Sequence, residues 1–214
     1  MTLVFAKYRT AICIAIFCFT TIIAFSQERT DKWRLQFALG INNPIDDGKN
    51  DGYYTKYVNF PSVNLGIQHM FSDLLGAKLD YGFNRSVNDS GSKPFKLNYS
   101  RVNLQLVYDA SQELHFLPEW LKIVAHSGPG FSFTQPLGID SENKYMYLNW
   151  LIGLEVHYKI SRALALYTDV SFTYSLSSTD KYNSAIDGFS FNGNLVYASV
   201  GISVALSGCK YCGL

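Results

Sequence analysis

Three groups of residues in this chain have types and spacings that could support chemistry. His126 and Ser127 are adjacent, and a histidine beside a serine is the base and nucleophile combination of acyl-transfer enzymes. Cys209 and Cys212 form a Cys-x-x-Cys pair, which is half of a metal site or a redox motif. The third group mixes acids and tyrosines, as calcium-binding or adhesive loops do: Asp46, Asp47, Asp51, Tyr53, Tyr54 and Tyr57.

None of these groups is complete as a motif. A zinc site or a thioredoxin-like motif needs further ligands or a βαβ unit, so we expect Cys209 and Cys212 to form a local disulfide or to lie in an unimportant tail. The acidic loop lacks the ligand spacing and terminal Glu of a calcium loop. We expect it to be a solvated loop, with adhesion to sugar or protein surfaces as the alternative.

The composition indicates an aromatic, β-rich chain with few charges. The 214 residues are 48% hydrophobic, 15% aromatic and 16% charged, whereas an average soluble domain is about 25% charged. This hydrophobicity excludes a disordered chain. The formal net charge of +1 gives no basic field for nucleic acid, and we expect neither a metal nor another cofactor.

The first 26 residues have the pattern of a secretory signal peptide. Lys7 and Arg9 precede an uncharged apolar run over 11–25, and the small residues that end this segment predict cleavage before Gln27. The apolar run is shorter than the ~20 residues that span a bilayer, so a membrane anchor is the weaker alternative.

Eight later segments alternate apolar and polar residues with a period of two, which is the pattern of strands. Because neighbouring residues of a strand point to opposite faces, His126 and Ser127 cannot easily form a hydrogen-bonded pair. We therefore expect His126 to lie on a polar inner face, which disfavours an enzyme. The predicted strands are Trp33–Ile41, Ser62–Phe71, Gly76–Asn84, Tyr99–Asp109, Leu121–Phe133, Tyr145–Tyr158, Ala163–Leu176 and Asn192–Leu206.

Three features favour a membrane barrel over a soluble sandwich. The predicted strands have nine to fifteen residues, whereas ordinary strands average ~5–6 and tilted membrane strands need ~9–11. Short or moderate links (72–75, 110–120, 159–162) alternate with long polar links (42–61, 85–98, 134–144, 177–191). Aromatic residues collect near strand ends, as two interfacial girdles require: Trp33, Phe71, Tyr108 and Tyr158 at the short turns, and Tyr99, Phe131, Phe133, Tyr145 and Tyr174 towards the long loops.

These features predict an all-β fold, an eight-stranded antiparallel up-and-down transmembrane β-barrel. An even number of strands closes the sheet and places both termini on one side, which leaves no unpaired edge in lipid. We expect a signal peptide (1–26), an outer-membrane barrel domain (27–208) and a short tail (209–214). The expected location is the outer membrane of a Gram-negative bacterium, with both termini in the periplasm and the chain a monomer.

The polar faces of these strands predict a charged interior. An eight-stranded barrel is just wide enough for its own side chains to fill, and buried charges of both signs should pair. We expect a structural polar plug, with a gated proton or ion path as the alternative. The predicted interior residues are Arg34, Gln36, Lys78, Asp80, Arg101, Gln105, Asp109, Glu155 and Asp169.

Four phrases of the chain resemble a known family, the OmpA-like eight-stranded barrel domains of Bacteroidetes-type outer membranes. The phrases are WRLQFALGINNP (33–44), VNLGIQHMFSDLLGAKLDYGFNR (63–85), LPEWLKIVAHSGPGFS (117–132) and YKISRALALYTDVSFTYS (158–175). The resemblance implies one barrel over most of 33–206. Relatives often carry a C-terminal peptidoglycan-binding domain and end in an aromatic residue, whereas here we expect no such domain and the last strand ends VALS.

The sequence leaves three functions open. We expect a structural or surface-interaction barrel of the adhesion type, whose partners are outer-membrane lipid, lipopolysaccharide and surface ligands at the long loops. The first alternative is an accessory barrel for secretion or assembly partners, for which the only hint is the 110–120 link with Leu117-Pro118-Glu119-Trp120. A lipid A-modifying enzyme is the second alternative, and we expect no enzymatic activity.

Overall fold

Eight long strands account for most of the described chain. The computed structural model describes residues 32–45, 52–161, 163–176, 187, 189 and 191–206. The strands are β1 (Trp33–Pro44), β2 (Asn59–Met70), β3 (Leu75–Val87), β4 (Lys96–Asp109), β5 (Leu121–Leu137), β6 (Tyr145–Lys159), β7 (Leu164–Ser175) and β8 (Leu195–Ala205).

The sheet closes on itself as an up-and-down barrel. Each strand pairs antiparallel with the next one, and β1 pairs with β8 from Arg34 opposite Ala205 to Pro44 opposite Leu195. The predicted all-β fold, an eight-stranded antiparallel up-and-down barrel, is therefore confirmed. Among the described residues, no helix is both long enough and apolar enough to cross a membrane.

The two faces of the sheet have opposite chemistry. On β4, the outward Leu104 and Leu106 are 60% and 59% exposed, whereas their neighbours Arg101, Asn103 and Gln105 are at most 1% exposed. The same alternation runs round the barrel, because every second side chain of a strand points outward. The apolar side chains thus form the outer surface, and the polar ones fill the lumen.

Strands β1 to β5 run further towards the long loops than the sequence predicts, whereas β6 begins at the predicted Tyr145, β7 ends one residue early at Ser175 and β8 begins three residues late at Leu195. β1 and β8 still pair at Asn43 and Val196, and β3 and β4 still pair at Val87 and Lys96. The prediction ended each strand where the apolar alternation ends. Ladder hydrogen bonds between backbone groups do not need that alternation, so the strands continue above the apolar band.

Serine side chains shape two of the turns at the opposite, short-turn end. In the 71–74 turn, the Oγ of Ser72 accepts a hydrogen bond from the backbone N–H of Leu75 (3.0 Å). In the 160–163 turn, Ser161 accepts in the same way from Leu164 (3.1 Å). These side chains supply local acceptors where the chain reverses, which is a usual role of serine in tight turns.

An aromatic girdle surrounds the short-turn end. The ring of His69 lies 4.4 Å from that of Trp33 and 5.3 Å from that of Phe71. Trp120 packs on Tyr158 at 5.2 Å, so the end of the 110–120 link extends this girdle. Rings of this kind favour the interface between lipid and water.

The girdle prediction was wrong for Tyr145, which packs partly buried against the interior aromatic cluster, and for Tyr99. The Tyr99 side chain is 1% exposed and points into the lumen, where its hydroxyl lies 2.7 Å from Ser132 Oγ. Tyr99 is two residues from Arg101, so the two share the inward face of β4. The strand alternation determines its direction, although its distance from the strand end fits a girdle.

Candidate functional site in the barrel interior

Seven of the predicted interior residues meet in the middle of the lumen, and each is at most 4% exposed: Gln36, Lys78, Asp80, Arg101, Gln105, Glu155 and Asp169. We call these residues, with His126 and His157, the interior network. Arg34 lies apart from it at the short-turn end, where its Nε donates to Ser203 Oγ (2.9 Å). Asp109 lies at the same end and pairs with Lys122 (2.6 Å).

Glu155 on β6 is the centre of the network. Its Oε1 accepts from the ammonium of Lys78 at 2.5 Å, and its Oε2 accepts from Gln36 Nε2 at 3.1 Å. The Nε2 of His157, two residues along the same inward face, lies 2.6 Å from Oε2. Side chains from β1, β3 and β6 thus converge on one buried carboxylate, which satisfies it in place of water.

His126 on β5 links both halves of the network. Its Nδ1 lies 2.5 Å from Gln105 Oε1, and its Nε2 lies 3.3 Å from Asp169 Oδ1 and 3.9 Å from Glu155 Oε1. Ser171 also donates to Asp169 Oδ1 at 2.6 Å. The imidazole is therefore fixed at both ring nitrogens, by Gln105 of β4 on one side and Asp169 of β7 on the other.

Arg101 on β4 anchors the network on its long-loop side. Its guanidinium forms a buried ion pair with Asp80, donates to Asn64 Oδ1 at 2.7 Å and lies 4.6 Å from the centre of the Tyr197 ring. Gly82 is its partner in the β3–β4 register, and a Cβ at that glycine would lie 2.5 Å from the Arg101 Cζ. The missing side chain of Gly82 provides the space that the guanidinium occupies.

The network is built as a set of paired charges. Two permanent cations (Lys78 and Arg101) face three carboxylates (Asp80, Glu155 and Asp169), with the two histidines between them. Burying an unpaired charge is very costly, whereas a hydrogen-bonded pair is tolerated. The arrangement therefore favours a fixed structural core of the lumen over a water-filled path.

Three atoms in the network could in principle ligate a metal ion. The side chains of His126, Glu155 and Asp169 each bring one ligand atom, all within 4.8 Å of one another. The hydrogen bond to Gln105 also orients His126 as an outer-shell partner of a metal ligand would. The ammonium of Lys78 already neutralises Glu155, however, and a positive charge so close disfavours a second cation.

An aromatic cluster lies above the network, at the long-loop end of the lumen, and we call it the aromatic plug. Phe189 and Phe191 of the link between β7 and β8 are 0% and 2% exposed, and the Phe191 ring packs edge-on against Tyr99 at 5.6 Å. The remaining members come from the strand starts and their neighbours: Phe95, Leu97, Tyr147, Leu151, Leu195 and Tyr197. The lumen is thus apolar at this end and polar at its middle.

The short-turn end of the lumen is open by comparison. A hollow of about 530 Å³ reaches from this end to His157, and its lining includes Lys32, Arg34, Asp109 and Lys122. Water entering here meets His157, which contacts Glu155. The hollow is therefore a vestibule that ends at the interior network.

Sequence reasoning predicted which side chains face inward, His126 among them, but it missed which of these side chains touch. The alternation places Asn64, His126 and His157 on inward faces, but it does not indicate which inward residues touch. Register supplies that information, because it sets Arg101 opposite Gly82 and His126 opposite Gly153. A Cβ at Gly153 would collide with the His126 ring, so glycines on the polar face mark the large inward side chains across the ladder.

The two residues that suggest acyl transfer lie on opposite sides of the sheet. His126 is buried in the network, whereas Ser127 points outward, where its Oγ accepts from Trp150 Nε1 (2.9 Å) and donates to the carbonyl of Leu151 (3.0 Å). The serine is thus engaged in structural hydrogen bonds on the outer face of the barrel. The predicted separation of His126 and Ser127 is confirmed.

Some predicted features lie outside the described residues. These are the signal peptide (1–26), Cys209 and Cys212, and the acids Asp46, Asp47 and Asp51. Tyr53 and Tyr54 of the same loop are described and half-buried, and Tyr57 is exposed.

Similar folds occur among outer-membrane proteins of known structure. Neisserial surface protein A is similar with a TM-score of 0.58 and 11% identity over 81% of this chain and 97% of that one. OprG from Pseudomonas aeruginosa is similar with a TM-score of 0.54 and 13% identity over 82% of this chain and 96% of that one. A major outer membrane protein from Thermus thermophilus is similar with a TM-score of 0.51 and 13% identity over 81% of this chain and 98% of that one. At these identities the likeness concerns the fold.

Comparison of the sequence with protein-family models and with curated proteins gives no match. The architecture is thus that of eight-stranded outer-membrane barrels.

Proposed function

We propose that this chain is a closed outer-membrane barrel that works through its surface loops and its lipid-facing side, in a structural or adhesion-type role. The observation that carries the proposal is the filling of the lumen at two levels. The interior network fills its middle with paired charges, and the aromatic plug covers the long-loop end. We expect a lumen filled in this way by the described residues to hold no continuous water path, so the accessible functional surface is external.

The membrane location is part of the proposal. The outward faces are apolar along all eight strands, which suits lipid, and the similar structures come from Gram-negative outer membranes. We propose that the short turns and both termini face the periplasm, since Leu206 N–H bonds to Trp33 carbonyl at the short-turn end. We also propose the Bacteroidetes-type relation that the four sequence phrases indicate, and a monomer.

Protease treatment of intact cells tests the orientation. Cleavage sites introduced at 56–58, in the long link before β2, should be cut, and the same sites introduced at 72–74 should be protected until the cells are lysed. The opposite pattern would reverse the proposed orientation.

Uptake of small sugars by liposomes that contain the chain tests the closed lumen. We expect the sugars to enter at the same rate as they enter liposomes without protein.

An adhesive role is the finer part of the proposal. The loop 46–57 brings acids and tyrosines to the proposed cell surface, and loops on a rigid scaffold commonly carry binding. Replacing 46–57 by a short Gly/Ser turn should abolish attachment of expressing cells to the sugar-coated or protein-coated surfaces that the intact chain binds. Attachment equal to that of the intact chain would exclude this loop as the adhesive element.

We propose that the chain has no enzymatic activity. Acyl transfer needs a nucleophile and base within hydrogen-bond reach, and His126 and Ser127 point to opposite sides of the sheet. Mass spectrometry of lipid A from cells with and without the chain tests this part. We expect the same acyl pattern, and a missing or added acyl chain would restore the enzyme alternative.

The accessory role in secretion or assembly remains the second candidate. The 110–120 link is the feature that suggests this role. Trp120 of the link packs on Tyr158 within the girdle, whereas the side chain of Phe116 is 79% exposed at the short-turn end. Purification of crosslinked membrane complexes discriminates the two roles. A stoichiometric periplasmic partner that is lost on Phe116→Ser would favour the accessory role, and its absence favours the surface role.

A further inference from the structure

Three cations lie together at the long-loop rim of β3 and β4, on the outside of the barrel. Arg85 faces outward on β3, and Lys96 faces outward on β4 opposite Val87. The backbone N–H of Lys56 bonds to the carbonyl of the same Val87 (3.2 Å), which brings a third cation to this edge. We call these three residues the cationic rim.

The cationic rim lies just above the apolar band. Tyr81 and Phe83 precede Arg85 on the outward face of β3, and Arg85 lies two residues, or about 7 Å, beyond Phe83. The Arg85 guanidinium stays 5.9 Å from the Phe83 ring centre, so it remains next to the aromatic level. A barrel embedded to this level in lipid holds the three cations among the headgroups.

The side chains of the rim are positioned to take an outside ligand. The Nε of Arg85 donates to Asn98 Oδ1 (3.0 Å), which orients the guanidinium, while its two terminal nitrogens have no hydrogen-bond partner among the described residues. Lys56 and Lys96 are exposed, and they line a hollow of about 590 Å³ with Asp89. The carboxylate of Asp89 accepts from the backbone N–H of Ser90 (2.8 Å). Two lysines therefore outnumber the one acid of this hollow, and Arg85 adds a third cation on the neighbouring part of β3.

We propose that the cationic rim binds the phosphate groups of a phosphorylated glycolipid of the outer leaflet. This inference rests on the outer-membrane location proposed above, and it names the site and the headgroup chemistry. Phosphate oxygens match the fork of an arginine, and lysines add charge without strict geometry. A bound lipid also keeps its apolar chains beside the outward Tyr81 and Phe83, which a free phosphate ion does not do.

The test measures lipid binding by the intact chain in phosphatidylcholine nanodiscs. Native mass spectrometry gives the dissociation constant for bis-phosphorylated lipid A and for the same lipid after enzymatic dephosphorylation. The variants are Arg85→Gln, Lys96→Gln and the double variant, and Lys159→Gln is the matched control. Lys159 is equally an exposed lysine at a strand end, but it lies at the short-turn end.

We expect each rim substitution to weaken binding of phosphorylated lipid A about fivefold and the double substitution about 25-fold, from the usual contribution of a basic residue at an anionic lipid surface. Lys159→Gln should change little. Free phosphate at about 100 mM shortens the Debye length to about 10 Å or less, and it should compete poorly beyond this general screening effect. Arg85→Lys should retain most of the affinity because it retains the charge.

Three results would overturn the proposal. The first is equal binding of phosphorylated and dephosphorylated lipid, and the second is an equal effect of rim and control substitutions. The third is full competition by free phosphate, which would make the rim an anion site without a lipid. A chain that inserts into the bilayer and shows any of these results keeps its membrane location, whereas a chain that does not insert at all refutes the location as well.

Discussion

Removal of the Lys78 ammonium tests whether the interior network stabilises the barrel as paired charges. Lys78 Nζ and Glu155 Oε1 are 2.5 Å apart, and the two side chains are 4% and 1% exposed. Lys78→Met keeps most of the apolar stem and removes the charge. Glu155 then retains His157 Nε2 at 2.6 Å and Gln36 Nε2 at 3.1 Å as its partners.

The structure sets the size of the expected effect. Removing one partner of a buried ion pair typically lowers the free energy of unfolding by ~3–5 kcal/mol. Because two hydrogen-bonding partners of Glu155 remain, we expect the lower end of that range, about 3 kcal/mol. Lys122→Met is the matched control, since Lys122 has a similar distance of 2.6 Å to Asp109 but is 49% exposed. An exposed pair contributes only ~0–1 kcal/mol.

Equilibrium unfolding in urea, with the chain folded in phospholipid vesicles and followed by tryptophan fluorescence, measures both variants. We expect Lys78→Met to lose about 2–3 kcal/mol more than Lys122→Met. The double variant Lys78→Met/Glu155→Gln should lose less than the sum of the two single variants, by ~1 kcal/mol or more. Equal losses at Lys78 and Lys122, together with additive single variants, would refute the paired-charge account.

Three further substitutions test other parts of the structure. Phe191→Ala should lower the free energy of unfolding by ~3–5 kcal/mol, measured in the same urea assay, and should leave the lumen closed because the interior network remains. Gly82→Ala places a methyl group against the Arg101 guanidinium and should destabilise by ~1–3 kcal/mol; unchanged stability would show that the guanidinium has room to move. Ser127→Ala removes the acceptor of Trp150 Nε1, so it should lower the free energy of unfolding by about 1 kcal/mol and shift the tryptophan emission. The acyl pattern of lipid A should stay unchanged.

The sequence alone predicts the barrel because its period of two appears in every strand. Each outward Leu or Ile beside an inward polar residue, such as Leu104 beside Gln105, carries that information locally. Strand ends are less predictable. Asn43 and Val87 pair through backbone groups, and this pairing does not depend on the hydropathy of the side chains.

The interior was predictable in kind but not in its contacts. Inward faces identify Lys78 and Glu155 as buried, yet their contact depends on the shear of the closed barrel, which a single sequence does not display. The aromatic plug was missed because Phe189 and Phe191 lie in a link without periodicity. Tyr99 was assigned to the girdle by its distance from the strand end, although its alternation with Ser100 and its shared parity with Arg101 indicate the lumen.

The most direct test of the central claim is the ionic current through single copies of the intact chain in a planar lipid bilayer. A lumen closed by the interior network and the aromatic plug predicts no steady conductance above that of the bare bilayer, at either polarity. A steady conductance of the size of a water-filled pore would contradict the closed lumen, and with it the proposal that this barrel acts through its outer surface.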